Sequence, residues 1–302
     1  MANYSLKVII FLIVQTSLLA ASCCGGGGGS QNLILNDAAI KLSLAYSNTT
    51  YLSDIDSKGS EVQRKKSGLE IKEVVSLGYA KSFLAYHQAG LELNGVKITK
   101  GEGATERSEI NPGDLKFFYG YEVFPETYYS IWKPRGFASF VFNIPLGNSK
   151  YDYETTAGED ISSSGFYSLS ANLVLLKVYG RHQLLLSFGG VGTFTGDTGK
   201  GKVERDLGYN VSGSYSFSSL YDFADLSFTI GRDVIGKDKL YKDSEVIESS
   251  NSIENFASIS LSHEVNEENA ISLTYKDTVN FGGQKNISTY KLISVNYLHY
   301  SF

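Results

Sequence analysis

The chain is short of the residues that interrupt strands or staple small domains. Its 302 residues include four prolines, two cysteines, one tryptophan and a single methionine, Met1. With so few prolines, most of the backbone keeps its N–H donors, so long hydrogen-bonded ladders are possible. The cysteines, Cys23 and Cys24, are neighbours. A bridge between them would need strained geometry, so no disulfide framework exists, and CxxC metal spacing is absent. After residue 14 no apolar run approaches the roughly 20 residues that a membrane helix needs. Strong charge is missing too. A net charge of −5, with no basic stripe interleaved with aromatics, excludes a nucleic-acid partner.

What is abundant points elsewhere. There are 21 Tyr, 17 Phe and 31 Gly. Aromatics suit the pleated surface of strands and Gly supplies turns, so the composition indicates an all-β chain.

The first residues, "MANYSLKVIIFLIVQTSLLAASCC", read as a secretory signal over 1–22. Lys7 is its positive charge, Val8 to Val14 its apolar centre, and Ala20-Ala21-Ser22 its small-residue cleavage site. "LAASC" is similar to a bacterial lipoprotein signal, although Ala20 stands where Leu is usual. Lipidation of Cys23 and plain cleavage after Ser22 both remain open. "GGGGGS", residues 25–30, extends this into a flexible N-terminal tether over 23–36.

From about residue 38 the dominant period is two. Ile40, Leu42, Leu44 and Tyr46 alternate with Lys41, Ser43 and Ala45. Phe117, Tyr119 and Tyr121 alternate with Lys116, Phe118 and Glu122. Leu207 to Phe217 repeats the pattern almost without a fault. Twelve such segments of about ten residues can be drawn over 37–302, those at 83–93 and 183–195 being weakest. A sandwich also alternates, but its strands average about 5–6 residues, whereas about 9–11 is the tilted spanning length. Short links near 80–82, 177–182, 218–221 and 265–268 alternate with long polar ones near 48–66, 94–112, 147–164, 196–206 and 233–253. The link 125–135 is the exception among the short ones. The predicted fold is therefore a transmembrane antiparallel up-and-down β-barrel of twelve strands. An even count puts both termini on the periplasmic side. The expected location is the bacterial outer membrane, with outer-membrane lipids and the barrel assembly machinery as partners.

Alternation also names a lumen. Lys41, Lys116, Glu122, Asn143, Asn172, Asn210, Asp225 and Lys276 fall on polar faces and are the lumen-lining candidates. The lining is nearly neutral, which argues against selection by a charged ring. No enzyme is indicated. "GDTGKGKV", 196–203, lacks the Ser or Thr of a phosphate-binding loop and links two strands. The histidines His87, His182, His263 and His299 show no metal spacing, and neighbouring pairs such as Ser262-His263 point to opposite faces. No cofactor is expected. Fewer than about 20 residues separate Cys24 from the first strand, which leaves no passenger domain for an autotransporter.

Three stretches, "SLGYAKSFLAYHQAGLEL" (76–93), "GDLKFFYGYEVF" (113–124) and "FASFVFNIPLGNS" (137–149), resemble a family of outer-membrane proteins associated with the meta-pathway of phenol degradation. Gly113-Asp114 would hold that family's strand start and Pro145-Leu146-Gly147 its turn; the double cysteine and Gly-rich leader depart from it. The resemblance implies a barrel that passes small, often aromatic or hydrophobic molecules. It supplies no catalytic or binding residues.

The chain closes on "NYLHYSF", 296–302. Leu298, Tyr300 and Phe302 are the candidate assembly signal and are expected to face lipid. Ile293, Val295 and Tyr297 on the opposite face are equally apolar. Either side chains plug the lumen there, or the facing is shifted by one residue. Two functions follow: a narrow passive channel for small solutes, or a non-conducting barrel acting through its extracellular loops.

Overall fold

The computed structural model describes residues 33–64, 70–102, 105–125, 132–152, 155, 158–198, 201–218, 224–242 and 245–302. The expected signal over 1–22 and the lipidation candidate Cys23 lie outside them.

Twelve antiparallel strands form one closed sheet: β1 (Ile40–Ile55), β2 (Glu70–Phe83), β3 (His87–Glu102), β4 (Thr105–Phe124), β5 (Arg135–Pro145), β6 (Ser168–Tyr179), β7 (His182–Thr193), β8 (Gly208–Ser218), β9 (Asp225–Ile235), β10 (Ser252–Asn266), β11 (Asn269–Asp277) and β12 (Ile287–Ser301). Each strand pairs with its neighbours in sequence. Closure is made by β12 on β1, from Ile40 opposite Ser301 to Ile55 opposite Ile287. No barrel edge is left unpaired, which is the condition for a sheet to survive in hydrocarbon. The described connections near 84–86, 180–181 and 267–268 are short and share one end with the start of β1 and the end of β12; the long loops share the other.

The outer wall is apolar. Leu42, Leu44, Leu77, Phe117, Phe140 and Ile259 are exposed, while inward neighbours such as Lys41, Phe118, Ser139 and Ser260 are buried. Tyr46 donates to Glu73 at 2.7 Å and Lys97 to Glu73 at 2.9 Å on the outer face, marking the belt's edge on the long-loop side.

Three features differ from the sequence reading. Residues 94–112 are not a loop: β3 and β4 continue as a hairpin, with Lys100 opposite Arg107, that extends beyond the belt. The pattern reverses there, with Val96 and Ile98 buried on the inner face and Lys97 and Thr99 on the outer one, so the apolar-out signal disappears although the ladder continues. The last strand turns the other way. Ile293, Val295 and Tyr297 are exposed, while Leu298 is buried and Tyr300 packs on a buried cluster inside the barrel. Phe302 lies past the strand end and is exposed. Finally, Leu33, Ile34 and Leu35, read as part of a tether, are 1%, 2% and 4% exposed.

At the long-loop end a second, four-stranded sheet joins Glu245–Glu248, Asp238–Lys242, Gly201–Arg205 and Gly196–Thr198, in that spatial order. Its fixed point is Asp238. The carboxylate accepts from Arg205 Nε (2.5 Å), Lys150 Nζ (2.7 Å) and Tyr151 Oη (2.7 Å), while Ser249 Oγ accepts from its backbone N–H. Phe166 lies beneath, with the Arg205 guanidinium 4.7 Å from its ring centre.

Candidate functional site: the barrel lumen

The chain itself enters the lumen at the short-turn end. Residues 33–38 enter before β1 begins, and their apolar side chains meet two clusters on the inner wall. Leu33 and Leu35 pack with Phe137, Val174, Leu176 and Leu185. Ile34 and Ala38 pack with Ala80 and Phe118, against which Val141 and Tyr300 also lie. Both alternatives offered by the last strand are therefore realised together. The facing is shifted by one, and the lumen is filled at that level.

The segment's backbone is satisfied by side chains instead of a neighbouring strand. Gln88 accepts from Ile34 N–H at 2.6 Å and donates back to Ile34 C=O at 3.3 Å, imitating one rung of a ladder. Lys41 Nζ donates to Leu33 C=O at 3.2 Å, and Arg135 Nη1 to Leu35 C=O at 3.1 Å. Arg135 is in turn fixed by two bonds to Glu122, at 2.5 and 3.2 Å. Gly120 makes the space: a Cβ there would come within 2.8 Å of both Leu33 and Gln88.

Burying three Leu- or Ile-sized side chains and making these four bonds contributes about 12 kcal/mol. Ordering six residues costs about 11 kcal/mol. The near balance means that the plug is held in place but not fixed irreversibly.

From the plug a polar row winds up the wall. Strand registers place Gln88, Gly120, Ser139, Asn172, Gly189, Asn210, Asp233 and Glu254 side by side across eight consecutive strands. Because strands in a barrel are tilted, a row in register climbs, here from the short-turn end at Gln88 to the long-loop end at Glu254. Ser139 Oγ and Asn172 Nδ2 are buried in this row without a protein partner. Gly189 lets the Asn172 and Asn210 amides lie over it, since a Cβ there would overlap them.

The eight lumen candidates occupy inward positions in this scheme but do not form one cluster. Lys41 and Glu122 belong to the plug anchorage. Asn172 and Asn210 stand in the polar row. Lys116 pairs with Glu92 at 2.8 Å. Asn143 donates to Asp114 at 3.0 Å and to Ser164 at 3.2 Å, bringing the 146–167 loop against the wall. Asp225 sits at the short-turn end of β9. Lys276 pairs with Glu254 at 2.7 Å, its ammonium 4.0 Å from the centre of the Phe256 ring. These pairings keep the lining close to neutral. Gln88, Glu92, Asp114, Arg135 and Glu254 were missed by sequence reasoning. Gln88 and Glu92 sit in one of the two weakest runs, 83–93, and Arg135, read as the last residue of the link 125–135, begins β5. Among the described residues no group of three or more His, Cys, Asp or Glu could hold a metal ion.

No protein-family model matches the chain, and no curated protein matches it in sequence. The fold does have relatives. A solved outer membrane channel from Pseudomonas putida F1 superimposes with a TM-score of 0.70 at 12% identity, over 89% of this chain and 98% of that one. The translocator domain of the autotransporter NalP from Neisseria meningitidis aligns with a TM-score of 0.48 at 12% identity, over 91% and 92% of the two chains. The P. putida toluene transporter TodX aligns with a TM-score of 0.43 at 11% identity, over 87% and 90%. With the apolar belt and the closed twelve-stranded sheet, the first of these identifies the fold as that of a bacterial outer-membrane barrel.

Proposed function

We propose that the protein is a narrow passive channel for small solutes with an apolar body and a hydrogen-bonding group, closed at its periplasmic end by residues 33–38. The observation that carries this reading is the wall beneath the plug. Phe118, Phe137, Val174, Leu176 and Leu185 form an apolar inner surface which Leu33, Ile34 and Leu35 cover. In a pore for ions or sugars that surface would be polar. Here the chain's own apolar side chains occupy the place a solute would cross, and Asn210, Asp233 and Glu254 further along the row offer polar partners to the solute's other end. The outer membrane channel from P. putida supports the reading by fold alone.

The test is planar-bilayer conductance and liposome flux, comparing the full protein with a variant lacking residues 33–38. The full protein is expected to give small or rare currents and the deletion a several-fold larger one. Equal currents would remove the plug from the mechanism. No current and no flux of a small aromatic solute in either would end the channel reading.

A second reading draws on the extracellular sheet around Asp238. That ordered layer suits a barrel that acts through its loops. It gains weight if conductance is absent and shortening 196–206 or 236–251 abolishes binding to a surface partner.

A further inference from the structure

Cations around the long-loop end of the lumen are taken up by carboxylates. Arg64 donates to Asp54 and Glu70, at 2.7 and 3.0 Å. Lys100 lies 3.8 Å from Glu70, Lys116 2.8 Å from Glu92 and Lys276 2.7 Å from Glu254. Lys72 of β2 stands among them on different terms. Its neighbour Glu73 lies on the outer face, bonded to Tyr46 and Lys97, so Lys72 faces the lumen. Among the described residues no carboxylate is in contact with its ammonium. Asp114 and Glu70 attract it only through space, and Lys116 repels it. Both anions are committed elsewhere. Glu70 serves Arg64 and Lys100, and Asp114 accepts from the Asn143 amide at 3.0 Å and the Ser163 hydroxyl at 2.6 Å.

An ammonium carries three donors, and leaving them without an acceptor in a half-buried position is costly unless the contents of the lumen supply one. The surroundings define what that acceptor belongs to. Register places Thr49 and Ile98 beside Lys72, and Leu292 beside Thr49. Val74 follows Lys72 on the same inner face. Ile98 is buried, while Val74 and Leu292 are half-buried and turned to the lumen. Tyr51 shares the inner face of Thr49; its hydroxyl makes no hydrogen bond among the described residues, and its ring meets Tyr290 edge-on at 5.6 Å. One cation and two hydroxyls beside an apolar flank are complementary to a single carboxylate on an apolar body. The acidic end of the polar row works in the same sense. Asp233 of β9, with Glu254 as its register neighbour, is five strands round the closed sheet from β2 and turns an anionic group toward Lys72.

We infer that Lys72 is a specificity-determining contact of the lumen, holding the carboxylate of an organic monoanion whose apolar body lies along Val74 and Leu292. This deepens the channel reading, on which it rests, by naming the hydrogen-bonding group of the solute.

The test is isothermal titration calorimetry of the detergent-purified full-length protein, with matched detergent blanks, comparing sodium hexanoate with hexan-1-ol and hexylammonium. The protein is expected to bind hexanoate at least about tenfold more tightly than either. Lys72→Met should lose that preference and Lys72→Arg keep it, both retaining the heat-modifiable migration of a folded barrel. Equal affinity of the unmodified protein for all the probes, or an unchanged preference in Lys72→Met, would overturn the proposal, and the first comparison needs no variant to fold. Displacement of hexanoate by an equal concentration of acetate would overturn it too, because the apolar flank would then play no part. Binding is read at equilibrium, so the two readings fail separately. Hexanoate held by a barrel that passes no current ends the channel reading and leaves the site, whereas current without the preference does the reverse.

Discussion

Single side chains hold the two ends of this barrel, and they do so by different physics. At the extracellular end Asp238 is a buried carboxylate among donors. Burial alone would push its carboxyl up, but the bonds from Arg205, Lys150 and Tyr151 outweigh burial and hold it at about 2. A carboxylate whose folded pKa lies below its unfolded value of about 3.9 contributes stability that is fully present above that value. The contribution disappears as pH falls through about 2. The loop layer should therefore be insensitive to pH from neutrality down to about 4 and loosen below it, by roughly 2 kcal/mol. Asp238→Asn should loosen it at neutral pH by a similar amount, since Arg205 and Lys150 lose their shared anion. Limited proteolysis of 146–167 and 236–251 reads this out, with the heat-modifiable migration of the barrel itself unchanged. Loops that stay protected in Asp238→Asn would show that the sheet pairing holds them without the carboxylate. At the periplasmic end Gln88 serves one segment only, through its two bonds to Ile34. Gln88→Ala should raise hydrogen exchange at the Ile34 amide by at least tenfold and increase the frequency of channel opening. An Ile34 amide that stays protected would show that Leu33 and Leu35 suffice to hold the plug.

Among the elements, the strands and the plug differ in how the sequence announces them. A strand with one face in lipid and one in a polar lumen alternates, so β8 and the belt-crossing parts of β1 and β4 are legible residue by residue. Where that contrast fails, so does the reading. The β3–β4 hairpin past residue 94 buries Val96 and Ile98 on its inner face and carries Lys97 and Thr99 outside, so its pattern reverses and reads as loop. In β12 the inner face ends in Leu298 and Tyr300, the latter packed on the cluster that holds Ile34, so two apolar faces compete there and the facing is read one residue out. The plug itself carries no periodic signal at six residues, and the Gly run before it suggests a tether. Glycine is again the discriminating residue here: Gly120→Leu should displace Leu33 by steric overlap. It would then increase exchange at Ile34 as Gln88→Ala does, but leave the Arg135–Glu122 pair in place. For β12, deletion of Phe302 is expected to impair membrane assembly more than any single loop substitution. Leu298 and Tyr300 would have to be recognised before the barrel closes, because both face inward once it has. Normal folded yield of the deletion variant would show that β12 is recognised by other residues.

For the molecule as a whole, the consequence is a barrel with an apolar outside, a nearly neutral inside, and a plug whose hold is close to balanced. Flux should accordingly follow solute character more than charge. In liposomes, a small aromatic alcohol is expected to exchange faster than a sugar of equal size, with the difference shrinking when residues 33–38 are deleted. The sequence by itself determined the class: a period of two over spanning lengths, alternating link lengths and an absence of helices or disulfides admit few folds other than a closed membrane barrel. Local pattern suffices for this because each strand meets the same two solvents. Which residues share a register row, which way the last strand faces, and that residues 33–38 pack on the inner wall were decided only by the tertiary structure. Those properties depend on contacts between residues as far apart as Ile34 and Tyr300, joined only when the barrel closes, and no local periodicity encodes them.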